Sequence, residues 1–185
     1  MRPRFVSPLV AVAALGMLSW QVNAQQHTAP MAPHVSPKAL AMLAPTQGQT
    51  AKGWVKFEAV EKGIRVTAEI SGLAPNSQHG FHIHEFGDLR SADGMSLGGH
   101  FNPSGAEHGL THVRKRHAGD LGNAEADSSG VAKVDRVFIG FTIDGHQAPI
   151  LGRGVVVHAL PDDGGQPTGN AGGRIAVGVI GVARE

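Results

Sequence analysis

Apolar and polar residues alternate in several short segments between residues 53 and 182, the pattern of strands with one buried face. The clearest segment is 63–70, where Arg65, Thr67 and Glu69 separate aliphatic residues. Turn residues such as Asp144 and Gly145 interrupt the pattern. The predicted strands are residues 53–60, 63–70, 80–85, 131–137, 154–159 and 174–182.

No long segment repeats the helical period, and the chain contains 26 glycines, which indicate turns and close backbone approaches. The pattern therefore predicts an all-β fold, an antiparallel sandwich or barrel interrupted by long loops. The longest interruption is residues 86–116. A loop of that length in a compact domain is usually functional.

The first 49 residues have a different composition. Residues 1–24 combine Arg2 and Arg4, an apolar run, and small residues that end at Ala24, which together predict a cleaved secretory signal peptide. Residues 25–49 are rich in Ala, Pro and Gln and predict a flexible linker. The folded domain is expected over residues 50–185, in a periplasmic or secreted mature protein without a membrane anchor.

The amino-acid composition limits the classes of function that the chain can have. The 185 residues are 41% hydrophobic, enough for one domain with a core. Loss of Arg2 and Arg4 leaves 14 of the 16 basic residues against 15 acidic ones, a net charge of about −1 that does not favour nucleic-acid binding. The chain has no cysteine, so any metal site must use nitrogen and oxygen ligands.

Three histidines lie within predicted apolar strands. His82 and His84 share one face of a predicted strand because side chains alternate along it, and Phe81 and Ile83 take the other face. His158 ends another apolar strand. Two histidines spaced in this way are, by themselves, as often solvent-facing residues as metal ligands. The third strand histidine favours a metal site.

A second group of polar residues lies in the long loop and just after it. Its members follow the spacing H-x7-H-x8-H-x2-D and are His100, His108, His117 and Asp120. Three nitrogens and one carboxylate oxygen satisfy the four-coordinate preference of zinc and leave no open position. The spacing therefore indicates a structural zinc site that would clamp a loop with few apolar residues.

Four segments closely resemble the signature segments of copper/zinc superoxide dismutases: 80–88 (GFHIHEFGD), 99–103 (GHFNP), 117–123 (HAGDLGN) and 169–174 (GNAGGR). The resemblance extends over roughly residues 53–183. It implies a Greek-key β-sandwich, or flattened eight-stranded barrel, with long zinc and electrostatic loops. It also implies dismutation of superoxide to dioxygen and hydrogen peroxide by alternating reduction and reoxidation of copper.

The resemblance assigns roles to residues of this chain. It implies one copper per chain on His82, His84, His100 and His158, and one zinc on His100, His108, His117 and Asp120. His100 would bridge both metals as an imidazolate and take part in catalysis. Arg174 would attract and orient the superoxide anion, Thr168 would narrow the channel, and Asp162 would link a copper histidine to a zinc histidine.

One departure of the chain from the family concerns a disulfide. The family's usual disulfide would join a position near Asp93 or Gly94 to Val177, and neither half is present. Such a crosslink is worth on the order of 2–5 kcal/mol, so zinc or tighter packing must hold the loop instead.

Outside the family pattern, His79, His112 and His146 are interpreted as surface histidines. Residues 114–116 (Arg-Lys-Arg) are interpreted as a solvated run, with anion steering as the alternative.

Two other functions remain open. One is a non-enzymatic copper-binding or copper-delivery protein of the same fold, and the second is a β-sandwich adhesion module with incidental histidines. The four copper ligands together with Arg174 favour the enzyme. No interface is legible in the sequence, and a homodimer is the assembly that the resemblance allows.

Overall fold

The computed structural model describes residues 38–184 of the chain. Within that range the chain forms nine β-strands and one short 3-10 helix, Met95–Leu97. The strands are β1 Ala39–Pro45, β2 Lys52–Val60, β3 Gly63–Ser71, β4 Gln78–His84, β5 Asp120–Glu125, β6 Ala132–Phe138, β7 Gly154–His158, β8 Arg174–Val179 and β9 Gly181–Val182. The predicted signal peptide lies outside the described residues.

The strands form one antiparallel sheet that curls almost into a barrel. Its order is β5–β4–β7–β8–β1–β2–β3–β6, and β9 pairs with β1. The first and last strands of this path approach each other, because Arg136 on β6 donates hydrogen bonds to the carbonyl oxygens of Leu121 (3.4 Å) and Asn123 (3.1 Å) on β5. The predicted all-β, eight-stranded barrel is confirmed.

The core lies inside this barrel and follows the alternation of the sequence. On β3 the apolar residues from Ile64 to Ile70 are buried, and the intervening Arg65 and Glu69 are exposed. Phe57 and Phe81 are fully buried in the same core as Ile83, so β4 turns this face inward. Burying apolar area of this kind is the main favourable term in folding.

The predicted linker ends too late in the sequence. Its last part contains β1, which pairs with β2 and β8 and buries Ala39, Ala41 and Leu43. Alanine has little intrinsic preference for strands, so the segment gave no local strand signal. The part of the predicted linker before residue 38 lies outside the described residues.

Strand β5 is also absent from the sequence-based prediction. It contains Asp120, Gly122 and Asn123, residue types that are depleted in strands, and it is stabilised by pairing with β4. The remaining strands agree with their predicted positions to within two residues, except that 174–182 divides into β8 and β9.

Two long connections join strands that are neighbours in the sheet. The first, residues 85–119, joins β4 to β5, and the second, residues 159–173, joins β7 to β8. The four strands are consecutive in the sheet, so both connections lie over one region of the barrel wall. Across residues 38–184, no helix has the length and apolar character needed to span a bilayer.

Candidate metal centre

Neighbouring strands position the first group of histidines. His82 and His84 lie on β4, which pairs with β7, the strand that ends at His158. His100 reaches β4 through an isolated bridge with His84. Each of the four offers a ring nitrogen within 4.8 Å of the other three, and all four residues are buried.

Backbone carbonyl groups fix the orientation of two of these rings. His84 Nδ1 lies 2.9 Å from the carbonyl oxygen of Gly98, and His158 Nδ1 lies 3.1 Å from that of Gly172. A carbonyl oxygen can only accept, so each Nδ1 carries a hydrogen and each neutral ring keeps a lone pair on Nε2. These two Nε2 atoms lie 3.3 Å apart with no hydrogen to share, and a cation between them would satisfy both.

The second group surrounds one carboxylate. Asp120 Oδ1 lies 2.9 Å from His100 Nδ1 and 3.2 Å from His117 Nδ1, and Asp120 Oδ2 lies 3.1 Å from His108 Nδ1. All four residues are buried, and their ligand atoms also lie within 4.8 Å of one another. His100 belongs to both groups, so its ring lies between them.

Asp162 belongs to neither group but accepts a hydrogen bond from one histidine of each. Its carboxylate accepts hydrogen bonds of 2.9 Å from Nε2 of His82 and from Nε2 of His108. Both Nε2 hydrogens are thereby committed to Asp162, and each Nδ1 points the other way. His82 Nδ1 is buried without a hydrogen-bond partner among the described residues, and His108 Nδ1 forms no hydrogen bond of regular geometry there, although Asp120 Oδ2 lies 3.1 Å away. Buried lone pairs without partners are costly, so a metal ion fits this donor set.

The pKa values differ between the two groups. Burial lowers the pKa of His82 to about 4 and that of His158 to about 3, and it holds the pKa of His84 well below its ordinary value. Burial opposes the charge of His108 as well, but the carboxylates of Asp120 and Asp162 outweigh it and raise its pKa to about 9. At neutral pH the strand histidines are therefore neutral, the form that binds a metal.

An open pocket of about 220 Å³ leads to the first group. His84 and His158 line it together with Thr168 and Arg174. Burial lowers the pKa of Arg174, but a guanidinium remains charged. Its Nη1 donates to the carbonyl oxygen of Gly94 and its Nη2 donates to that of Gly98 (2.5 Å). The pocket thus has a fixed positive charge in the same lining as three of the four histidines, His84, His100 and His158.

The comparisons with known proteins agree with this geometry. The family model of copper/zinc superoxide dismutase matches residues 51–180. The chain belongs to the copper/zinc superoxide dismutase family. A crystal structure described as that of the clock protein EA4 is also similar, with 41% sequence identity and a TM-score of 0.72, over 80% of this chain and 96% of that chain.

This superoxide dismutase family member holds its first long loop without the usual disulfide. The two positions where the resemblance implies cysteines adjoin, since a Cβ atom on Gly94 would lie 2.9 Å from Val177 Cγ1. Leu97 is fully buried in a small cluster with Val156 and Val177. Apolar packing and the two hydrogen bonds from Arg174 therefore act where the crosslink would be.

The histidines outside the metal groups have different environments. His112 and His146 are exposed, as predicted. The prediction for His79 is wrong, because this residue is buried, with Nδ1 2.7 Å from the carbonyl oxygen of His158 and Nε2 2.7 Å from Ser77 Oγ. The pairing of β4 with β7 brings His79 to the carbonyl oxygen of His158, and a single strand sequence does not reveal it. Within residues 114–116, Arg114 and Lys115 are exposed, in agreement with a solvated run.

Three residues of the site were not assigned a role from the sequence. Asn123 forms two hydrogen bonds with the backbone of Asp162, and Gln166 forms two with the backbone of His108. Gly169 has a φ of 77°, and a Cβ atom there would lie 2.0 Å from Asp162 Oδ1. Asn123 and Gly169 lie inside the family segments, and that is the only signal by which they could have been found.

Proposed function

We propose that this chain catalyses the dismutation of superoxide: two superoxide anions and two protons give dioxygen and hydrogen peroxide. One observation carries the proposal. The first metal group lines a pocket that also holds the cation of Arg174, whereas the second group adds the buried carboxylate of Asp120 to three imidazoles. This arrangement suits one reactive centre and one structural centre.

The donor sets support copper in the first group and zinc in the second. Four imidazole nitrogens suit copper, and three imidazoles with one carboxylate suit tetrahedral zinc. When bound, copper would supply the one-electron chemistry by accepting an electron from one superoxide anion and returning it to another. One copper on His82, His84, His100 and His158, and one zinc on His100, His108, His117 and Asp120, are proposed for each chain.

Arg174 is proposed to bind the substrate. Its guanidinium lines the pocket beside His84 and His158, and the backbone oxygens of Gly94 and Gly98 hold it in place. A fixed cation attracts a small anion and orients it without further rearrangement. Thr168 lines the same pocket and is proposed to limit its mouth to small species.

His100 is proposed to hold and deliver a proton. Its Nδ1 lies 2.9 Å from Asp120 Oδ1, so Nδ1 faces the second group and Nε2 is left for the first. A nitrogen at this place can take up a proton when it is not bound to copper and give it to the departing peroxide. Asp162 is proposed to keep His82 and His108 in the orientation that both groups require.

The alternative is a non-enzymatic copper-binding or copper-delivery protein of the same fold. One finding favours it, since the similar crystal structure is described as a clock protein and not as an enzyme. A delivery protein has no need for a fixed cation beside the metal, and the pocket with Arg174 is therefore the reason to prefer the enzyme.

The test is the rate of superoxide disappearance with protein loaded with copper and zinc. We expect rapid dismutation, and we expect Arg174→Gln to slow it by about tenfold or more because the steering charge is lost. Arg65→Gln is the matched control, since Arg65 lies on β3 and pairs with Asp135. Metal content is measured in every sample. A folded, fully loaded protein without dismutase activity would leave the copper-binding alternative.

We propose export as well, on the basis of the pattern in residues 1–24. The mature protein would then act in the periplasm or outside the cell. Cell fractionation with the full-length chain tests this, and a protein of full mass that stays in the cytoplasm would contradict it.

A further inference from the structure

Met95 presents a thioether at the mouth of the pocket that leads to the four histidines. Its side chain is 61% exposed and lines the same pocket as His84, His158 and Arg174. Met42 is the other methionine among residues 38–184, and it lies on β1 and is 64% exposed. The chain has no cysteine, so Met95 is the sulfur that lines this pocket.

The backbone around Met95 is fixed although its side chain is exposed. Met95 is the first residue of the 3-10 helix, and its N–H donates to Asp93 Oδ1 at 3.0 Å. The carbonyl oxygens of Gly94 and Gly98 on either side accept from Arg174. Leu97 anchors the same turn in the core. The thioether is therefore held near the pocket by a rigid element.

The chemistry of sulfur explains why a methionine here is informative. Thioethers are soft ligands that favour copper(I) over copper(II) and zinc, which imidazole and carboxylate bind well. Packing does not account for Met95, because Leu97 already fills the core beneath this turn. An exposed, flexible, soft donor beside a group of four imidazoles matches a point of entry for a soft ion.

We propose that Met95 is a transient copper(I) ligand that receives the ion at the pocket mouth and passes it to the histidines behind it. This inference rests on the proposed copper site. The transfer is a ligand exchange in which the ion stays copper(I) and no electron or proton moves. The receiving atoms are the Nε2 lone pairs of His84 and His158, which already converge to 3.3 Å. A single thioether binds weakly, so it can release the ion to a site with more ligands.

The experiment measures the rate of copper uptake by the zinc-loaded, copper-free mature protein under anaerobic conditions. Copper(I) is supplied on a coloured chelator, and its transfer is followed by the loss of colour. Met95→Leu keeps the size and apolar character of the side chain but removes the sulfur. We expect it to slow copper(I) uptake by about tenfold, the factor that corresponds to about 1.4 kcal/mol in the barrier. Final occupancy and the rate of uptake of copper(II) chloride should not change.

Met42→Leu is the matched control and should take up copper(I) at the wild-type rate. A second measurement uses wild-type protein labelled with 13C in its methionine methyl groups. Silver(I), a redox-inert soft ion, should shift the methyl signal that Met95→Leu removes and leave that of Met42 in place.

Two results would overturn the inference while the proposed function stands. One is copper(I) uptake at the wild-type rate in Met95→Leu. The other is equal slowing of copper(I) and copper(II), which would mean that the side chain only shapes the pocket. Failure of the wild-type protein to bind copper in either oxidation state would overturn the proposed function and this inference together.

Discussion

At the scale of single residues, both metal groups depend on Asp162. Its carboxylate accepts Nε2–H from one histidine of each group, which fixes the tautomer of each ring. Burial opposes the charge of Asp162, but the bonds from His108 and His82 outweigh it and hold its pKa far below the ordinary value. The residue is therefore an ionised acceptor at neutral pH.

Replacing Asp162 with Asn should weaken binding at both groups. An amide can accept from one ring but presents an N–H to the other, so one histidine loses its orientation and the carboxylate charge is lost for both. We expect affinities for copper and for zinc to fall by about 10–100-fold, measured by competition with chelators.

Asp163→Asn is the matched control for this variant, because Asp163 is exposed and, among the hydrogen bonds of the described residues, its carboxylate accepts only from Gly165 and Asn170. A loss confined to one metal would contradict the role of Asp162 as a link between the groups.

His79 shows what residue-scale reasoning from sequence leaves out. The alternation of side chains predicted that His82 and His84 share a face, and both belong to the first group. The same alternation does not indicate that His79 is buried against the carbonyl oxygen of His158, because that contact depends on which strand lies beside β4.

At the scale of elements, the first long loop is held in two different ways. Its first half is packed through Leu97 and bonded by Arg174. Its second half is tied to Asp120, whose Oδ2 accepts from the N–H groups of Gly109 and His117 at 3.1 Å. Backbone N–H groups of the second half thus bond directly to a residue of the second metal group.

Leu97→Ala should destabilise the protein by about 2–5 kcal/mol, because the truncation leaves a cavity in a cluster with few other members. The free energy of unfolding in urea measures this. Leu89→Ala is the matched control in the same loop, since Leu89 is 49% exposed and its loss should cost less than about 0.5 kcal/mol. Equal effects of the two variants would mean that Leu97 does not replace the crosslink.

Removing zinc should loosen the loop unevenly. We expect amide hydrogen exchange to accelerate at Gly109 and His117, whose N–H groups bond to Asp120, because the carboxylate loses the cation that orders it. The N–H groups of Leu97 and Gly98 should keep their protection. Uniform acceleration along the loop would contradict this division.

The elements were predictable from the sequence where the alternation of residues is strong. Strand β3 is an example, since its buried and exposed positions follow the sequence directly. Strands β1 and β5 were not predictable, because β1 relies on small alanines and β5 contains Gly122 and Asn123. Pairing with distant strands stabilises both, and no local window of sequence contains that information.

At the scale of the whole molecule, the buried histidines make stability depend on pH when no metal is bound. Folded His82, His84 and His158 have pKa values below about 6.5, the ordinary value. The unfolded chain therefore binds more protons below that pH, and the stability from these residues is lost as pH falls. His108 has a raised pKa of about 9, so its contribution is present below about pH 6.5 and is lost as pH rises towards 9.

The free energy of unfolding of the metal-free protein should therefore be largest near about pH 6.5 and fall on both sides. Urea unfolding at a series of pH values measures it. Bound metals should widen the pH range of maximal stability, because they bind the folded state and keep protons off the imidazole rings. A metal-free protein that gains stability between pH 6.5 and 5 would contradict the assignment of neutral, buried rings.

His100 also has a thermodynamic consequence for the complete protein. Because one ring serves both groups, the two binding equilibria share a free energy of interaction, and an ion in one group changes the affinity of the other. The linkage is reciprocal: the factor by which zinc alters copper binding must equal the factor by which copper alters zinc binding. The chain therefore has no single affinity for either ion, only an affinity at a stated occupancy of the neighbouring group.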